Sequence, residues 1–113
     1  MLKKLFIQNY ALIDELEVDF GKGMNIITGE TGAGKSILLG ALSLILGERA
    51  DRSVLLDTSK KCIIEGSFET DKKLVRSFFK SNELDIEDVT IIRREISSEG
   101  KSRSFINDTP VSL

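Results

Sequence analysis

The chain has 113 residues, of which 41% are hydrophobic and 30% charged, and its formal net charge is −2. This is the size of one ordinary domain with enough apolar material for a core, which excludes a chain disordered by composition. The charge excludes a global attraction to nucleic acid, while a single cysteine (Cys62) and no histidine exclude an internal disulfide, a cysteine-cluster metal site and histidine-based acid–base catalysis.

In chain order, Lys4–Tyr10 and Leu12–Phe20 read as strands. From Leu16 onward, Leu16, Val18 and Phe20 alternate with Glu17 and Asp19, so one side is expected to be buried. Gly21-Lys22-Gly23 is a turn. Met24–Thr28 is a short apolar strand that runs into a glycine-rich loop, Gly29–Ser36. The segment Lys35–Gly47 is apolar nearly all round, which predicts a helix buried on most sides with Gly47 as its stop. Glu48–Lys61 has no clear period and is expected to be a surface connection with a short turn of helix or strand. Cys62–Glu69 is a strand, with Gly66 as a bulge position. Asp71–Asn82 predicts an amphipathic helix capped by Thr70 or Asp71, with Leu74, Val75, Phe78 and Phe79 on its core face. Val89–Ile96 and Ser102–Asn107 are strands joined by the turn Ser97–Lys101. Asn107–Pro110 opens another turn, and Val111–Leu113 begins a further element. The apolar run Ile37–Leu46 is too short to span a bilayer, and residues 1–20 lack the layout of a signal peptide. A single domain, 1–113, in the cytoplasm and without a membrane partner is therefore expected.

The loop GETGAGKS fits G-x-x-x-x-G-K-[ST] with a strand before it and a helix after it. Polyphosphate must lie close against backbone N–H groups. Gly29, Gly32 and Gly34 leave room for that approach and permit positive φ. The loop residues Gly29, Glu30, Thr31, Gly32, Ala33, Gly34, Lys35 and Ser36 form the candidate cradle. The helix start points its free amides and its positive dipole end at the ligand. Lys35 is the point charge for the β- and γ-phosphates, and the Ser36 hydroxyl suits Mg²⁺. The implied ligands are ATP and Mg²⁺. The Glu30 side chain is expected to point to solvent, because a carboxylate against phosphate is unfavourable.

The rest of a hydrolytic site is harder to find. Hydrolysis needs a carboxylate at the end of an apolar strand and a group that orients water. SVLLD offers Asp57, which reads as a turn residue and, in an alternative reading, as a metal-side carboxylate. Glu65 is a weaker candidate because its strand continues past it. The chain alone is expected to hydrolyse ATP poorly or not at all. Two alternatives stay open at this point: a P-loop kinase of another class, and a DNA- or protein-binding module whose P-loop is unused.

The stretches NYALID, GETGAGKSILLGALSLILGERAD and RREISSEGKSRSFINDTPV carry a resemblance across essentially the whole chain. It resembles the N-terminal head segment of SMC-like ABC ATPases and, among them, the RecN family of bacterial DNA repair proteins. The resemblance implies an α/β fold: the N-lobe of an ABC-type P-loop ATPase head, with a mixed or antiparallel sheet around the P-loop helix. It implies that the signature motif, the Mg²⁺-side Asp and the catalytic Glu belong to a C-terminal lobe of the same parent chain, beyond a long coiled coil. It also implies a second head in an ATP-sandwiched homodimer, a nucleoid-associated ATPase, and a role in recombinational repair of double-strand breaks. Many such heads have Asn where this chain has Thr31, so no particular contact is assigned to Thr31.

Arg93, Arg94, Lys101 and Arg103 gather on two strands and their turn, with Glu95 and Glu99 among them. They are the candidate contacts to the DNA backbone, which would be sequence-independent and salt-sensitive. The competing reading is a solvated strand face. Arg49 and Arg52, after the P-loop helix, read as surface arginines that could approach nucleotide or DNA.

Overall fold

The computed structural model describes residues 2–20, 32–69, 76, 80–82 and 89–112. The elements are β1 (Leu2–Tyr10), β2 (Ile13–Asp19), α1 (Gly32–Ile45), a 3₁₀ turn (Arg52–Val54), β3 (Cys62–Glu69), β4 (Val89–Ile96), β5 (Ser102–Ile106) and β6 (Thr109–Val111). The strand expected at Met24–Thr28 and the apolar helix face at Leu74, Val75, Phe78 and Phe79 lie outside the described residues. Arg76, Lys80 and Ser81 are helical.

The strands form one six-stranded sheet in the order β2-β1-β3-β4-β5-β6, and every described pairing is antiparallel. Alternation assigns the two faces. Leu5, Ile7 and Asn9 of β1 are buried, as are Cys62, Ile64 and Gly66 of β3 and Arg94 and Ile96 of β4. The residues between them form the opposite face, where Phe6, Glu65, Arg93, Phe105 and Pro110 are register partners in one row across five strands. The turn between β5 and β6 is Asn107-Asp108, with φ of 49° and 66°. Two consecutive positive φ values are what a two-residue hairpin of primed type demands, and Asn and Asp tolerate them. Pro110 is accommodated because β6 is an edge strand.

α1 lies against β3 and β4. Ala41, Leu44 and Ile45 are buried in the same core as Leu5, Ile7, Ile64 and Ile96. Among its described residues 36–45 only Ser36 and Leu39 are exposed, Leu39 at 56%, and the others are buried or half-buried, so the helix is covered on most sides, as its apolar composition suggested. Its C-terminus closes as a Schellman motif. Glu48 N–H donates to Ser43 O and Gly47 N–H to Leu44 O, with Gly47 at φ 106°.

Gly66 is not a bulge. It pairs in register with Leu5 and Ile92, and the irregularity in the β1–β3 ladder falls between Leu2 and Lys4. The reason for glycine is close approach. A Cβ there would sit 2.7 Å from Ile45 Cδ1 and 2.9 Å from Phe68 Cε1. Gly66→Ala is therefore expected to destabilise the fold by about 1–3 kcal/mol through overpacking, read as a lower urea midpoint at unchanged m-value. An unchanged midpoint would show that α1 can move away at no cost.

Cys62 is fully buried, and burial pushes its thiol up from 9.0 to about 11, with Arg94 acting in the opposite direction. The folded state therefore holds the proton more tightly than the unfolded chain. The resulting stability is complete below pH 9.0 and is lost as pH rises toward about 11. Urea midpoints taken across that window are expected to fall more steeply for the wild type than for Cys62→Ala, by at most about 1.4 kcal/mol per pH unit. Parallel curves would show that Cys62 does not titrate differently on unfolding.

Candidate nucleotide site

α1 begins at Gly32, three residues before the start expected at Lys35. Gly32, Ala33, Gly34 and Lys35 thus supply the first turn of the helix, whose four N–H groups have no intrahelical acceptor. Gly32 and Gly34 are helical, so neither uses the positive φ that glycine permits. No acidic residue occupies this first turn. An acidic side chain in that turn would compete with an external anion for the positive end of the helix. Ser36 follows one position later and is exposed. Gly29, Glu30 and Thr31 lie outside the described residues. A polyphosphate with a divalent cation fits the donor set: backbone amides, one ammonium residue and one hydroxyl residue at a helix start.

The other end of α1 is held from the sheet. Arg94 Nη1 donates to Leu44 O and Glu48 O, both at 2.7 Å, and Nη2 donates to Ser102 Oγ at 3.1 Å. Its Nε has no hydrogen-bond partner among the described residues. Burial pulls its guanidinium below the ordinary arginine value, while the neighbouring Cys62 acts in the other direction. The last turn of α1 has no basic residue of its own, so Arg94 supplies the cation that a helix C-terminus favours.

That geometry corrects one expectation. Arg94 is 1% exposed and cannot reach a DNA backbone. Its side chain enters the core because β4 alternates, and neighbouring arginines leave the strand on opposite faces. Arg93, on the outer face, is largely engaged. Nη1 lies 2.9 Å from Asp108 and 3.8 Å from Glu65, Nε lies 3.1 Å from Glu95, and the guanidinium stacks 4.4 Å from the Phe105 ring centroid. Lys101 and Arg103 remain exposed, and Lys101 pairs with Glu99 at 3.7 Å. Together with Lys61, Glu95, Ser97 and Ser98 they line an open cleft of about 410 Å³ at the β4–β5 turn. Arg49 and Arg52 are exposed, and a Cβ on Gly100 of the same turn would meet Arg52 Cγ at 3.1 Å.

Among the described residues the carboxylate alternatives do not assemble a metal site. Asp57 Oδ1 accepts from Ser59 N and Ser59 Oγ at 2.9 and 2.6 Å, a side-chain turn. Those hydrogen bonds hold its carboxyl below the ordinary range, with a smaller contribution from Lys60. Glu65 sits within β3, facing Arg93. Among the described residues no group of acidic and cysteine side chains could hold a metal ion.

Sequence reasoning passed over Asn9. Its side chain is the latch between β1 and the connection 57–61. Nδ2 donates to Asp57 O, Lys60 O and Lys61 O, and Oδ1 accepts from Asp57 N at 2.6 Å. Its signal in the sequence was an Asn on the buried parity of an apolar strand; in the structure Asn9 takes φ 56°, which Asn tolerates.

A family model described as AAA domain matches residues 4–112. DNA repair protein RecN of Vibrio cholerae is 43% identical over 114 residues, covering all of this chain and 21% of that protein. DNA repair protein RecN of Synechocystis is 46% identical over 112 residues, covering 95% of this chain and 19% of that protein. The chain thus spans about a fifth of the length of the curated relatives it matches. Among solved structures, one described under ATP-driven dimerization and DNA-stimulated activation of SMC ATPases superposes with a TM-score of 0.74. It is 20% identical and covers 98% of this chain and 72% of the other. The SMC head domain of Thermotoga maritima superposes with a TM-score of 0.61 at 19% identity, over 97% of this chain and 38% of that one. The sheet wrapped on a helix that follows a phosphate-loop sequence has its counterpart in those ATPase heads. By the match across nearly its whole length, the chain belongs to the AAA domain family.

Proposed function

We propose that the chain is the Mg·ATP-binding N-terminal lobe of a RecN-like ATPase that acts in recombinational repair of DNA double-strand breaks. The observation that carries this reading is the start of α1. The helix opens at Gly32, inside a complete phosphate-loop sequence, with no acidic residue in its first turn and an exposed Ser36 behind it. The repair role is supported by relatives named DNA repair protein RecN that match the full chain.

In this reading the loop Gly29 to Gly34 supplies backbone donors. Lys35 would neutralise charge on the terminal phosphates, and Ser36 would hold Mg²⁺ through its hydroxyl. Once bound, the metal would supply further neutralisation of phosphate charge. The chain positions and binds. The water-orienting carboxylate comes from a C-terminal lobe of the parent chain, and a second head closes over the nucleotide. The protein works in the bacterial cytoplasm, at the nucleoid.

Calorimetric titration with Mg·ATP tests the cradle. Binding is expected in the wild type and is expected to weaken at least about a hundredfold in Lys35→Ala, since that variant removes a charge-assisted hydrogen bond to phosphate. Equal affinity in the two would overturn the assignment of Lys35. Turnover at an ordinary ATPase rate by this chain alone would overturn the division of labour between lobes.

The exposed pair Lys101 and Arg103 is the DNA-facing part of the proposal. The double variant Lys101→Glu, Arg103→Glu is expected to weaken duplex binding for every sequence tested. The slope of log affinity against log salt should shrink by about 1 for each phosphate that the protein no longer neutralises. Fluorescence anisotropy at several salt concentrations reads both quantities. An unchanged slope would remove this turn from the DNA surface.

A further inference from the structure

From its hydrogen bonds to the end of α1, we infer that Arg94 is a positioning residue: it sets where α1 sits along the sheet and thereby where the phosphate loop presents its amides. The inference rests on the nucleotide reading above for its last step, from helix position to phosphate binding.

The side chains that press α1 onto the sheet are apolar. Ala41, Leu44 and Ile45 share one core with Leu5, Ile7, Ile64 and Ile96. Apolar burial is non-directional, so it holds the helix down without strongly opposing a slide along its axis. Gly66 makes that surface locally smooth, because no side chain there blocks Ile45. Arg94 differs in kind. It is buried, and its planar fork makes three directed hydrogen bonds, two of them to carbonyls at the end of α1 and just past it. These bonds tie the sheet to the C-terminal end of α1. α1 has 14 residues, about 21 Å at roughly 1.5 Å per residue, and is stiff over that length. Fixing its C-terminal end axially fixes the amides at Gly32–Lys35 as well. The third bond, to Ser102 on β5, braces the guanidinium from behind. A displacement of about 1 Å at a binding loop is enough to weaken binding and catalysis.

The test compares wild type, Arg94→Lys, Arg94→Met and Ser102→Ala. Two quantities are read: Mg·ATP affinity, and amide hydrogen exchange across α1 relative to β1 and β3. Arg94→Met keeps length and apolar bulk but removes every donor. It is expected to raise exchange in α1 with β1 and β3 unchanged, and to weaken Mg·ATP about tenfold. Arg94→Lys restores a single ammonium to the two carbonyls and is expected to recover part of both losses. Ser102→Ala removes only the brace and is expected to give a smaller change of the same sign. It also decides the question should Arg94→Met fail to fold. Unchanged α1 exchange in Arg94→Lys and Ser102→Ala would overturn the inference. So would exchange that rises equally in α1, β1 and β3, because that is general loss of stability. Failure of the nucleotide reading looks different. The wild type would then bind no Mg·ATP, while α1 exchange would still follow the number of donors at Arg94.

Discussion

One helix has to be seated on one sheet, and most of the described molecule serves that contact. α1 carries the phosphate-loop sequence at its start, so its position is a functional quantity and not only a packing one. Its seat is made of two unlike forces. Apolar side chains from β1, β3 and β4 supply the pressure. A buried guanidinium on β4 supplies direction, and it also provides the positive charge that the last turn of α1 lacks. The first turn is the mirror case: no acidic residue lies in it, and in the proposed reading an external anion answers its positive end. The two ends of the helix dipole are thus answered differently, one from within the fold and, in that reading, the other by a ligand.

Strand alternation then distributes the chemistry. Arg93 and Arg94 are neighbours in sequence and share no environment. Arg94 enters the core against α1, while Arg93 lies on the outer face among Glu65, Glu95, Asp108 and Phe105. The basic cluster that looks like one patch in the sequence is therefore two populations. Lys101 and Arg103, at the β4–β5 turn, are the members left to solvent. This turn also lies close to the segment that leaves α1, through Gly100 and Arg52. The surface proposed for DNA and the helix proposed for nucleotide are joined by the same hairpin.

Asn9 has a similar architectural role at the other side of the core. A connection that lacks apolar periodicity needs something to hold it down, and Asn9 supplies donors to three of its carbonyls and an acceptor to one of its amides. An amide side chain can do this because it carries both kinds of group, and because its positive φ is cheap for Asn. The turn at Asp57 is closed by the carboxylate itself, and this explains an acidic residue there without reference to a metal.

The strands β1 to β5, the turn between β4 and β5 and the helix stop at Gly47 were legible in the sequence, whereas β6 begins at Thr109, inside the stretch read as a turn. The legible ones depend on local rules: period-two alternation and the φ demands of tight turns and helix ends. Cys62–Glu69 and Val89–Ile96 coincide with β3 and β4 for that reason. What the sequence could not decide was every question about neighbours across space. Whether Gly66 was a bulge or a point of close approach depended on where Ile45 would come to rest. Whether Arg94 faced solvent or a helix end depended on strand parity and on which face α1 would cover. Spacing determines which way a side chain points from its own backbone; only the packing of β3 and β4 against α1 decided what it would meet there.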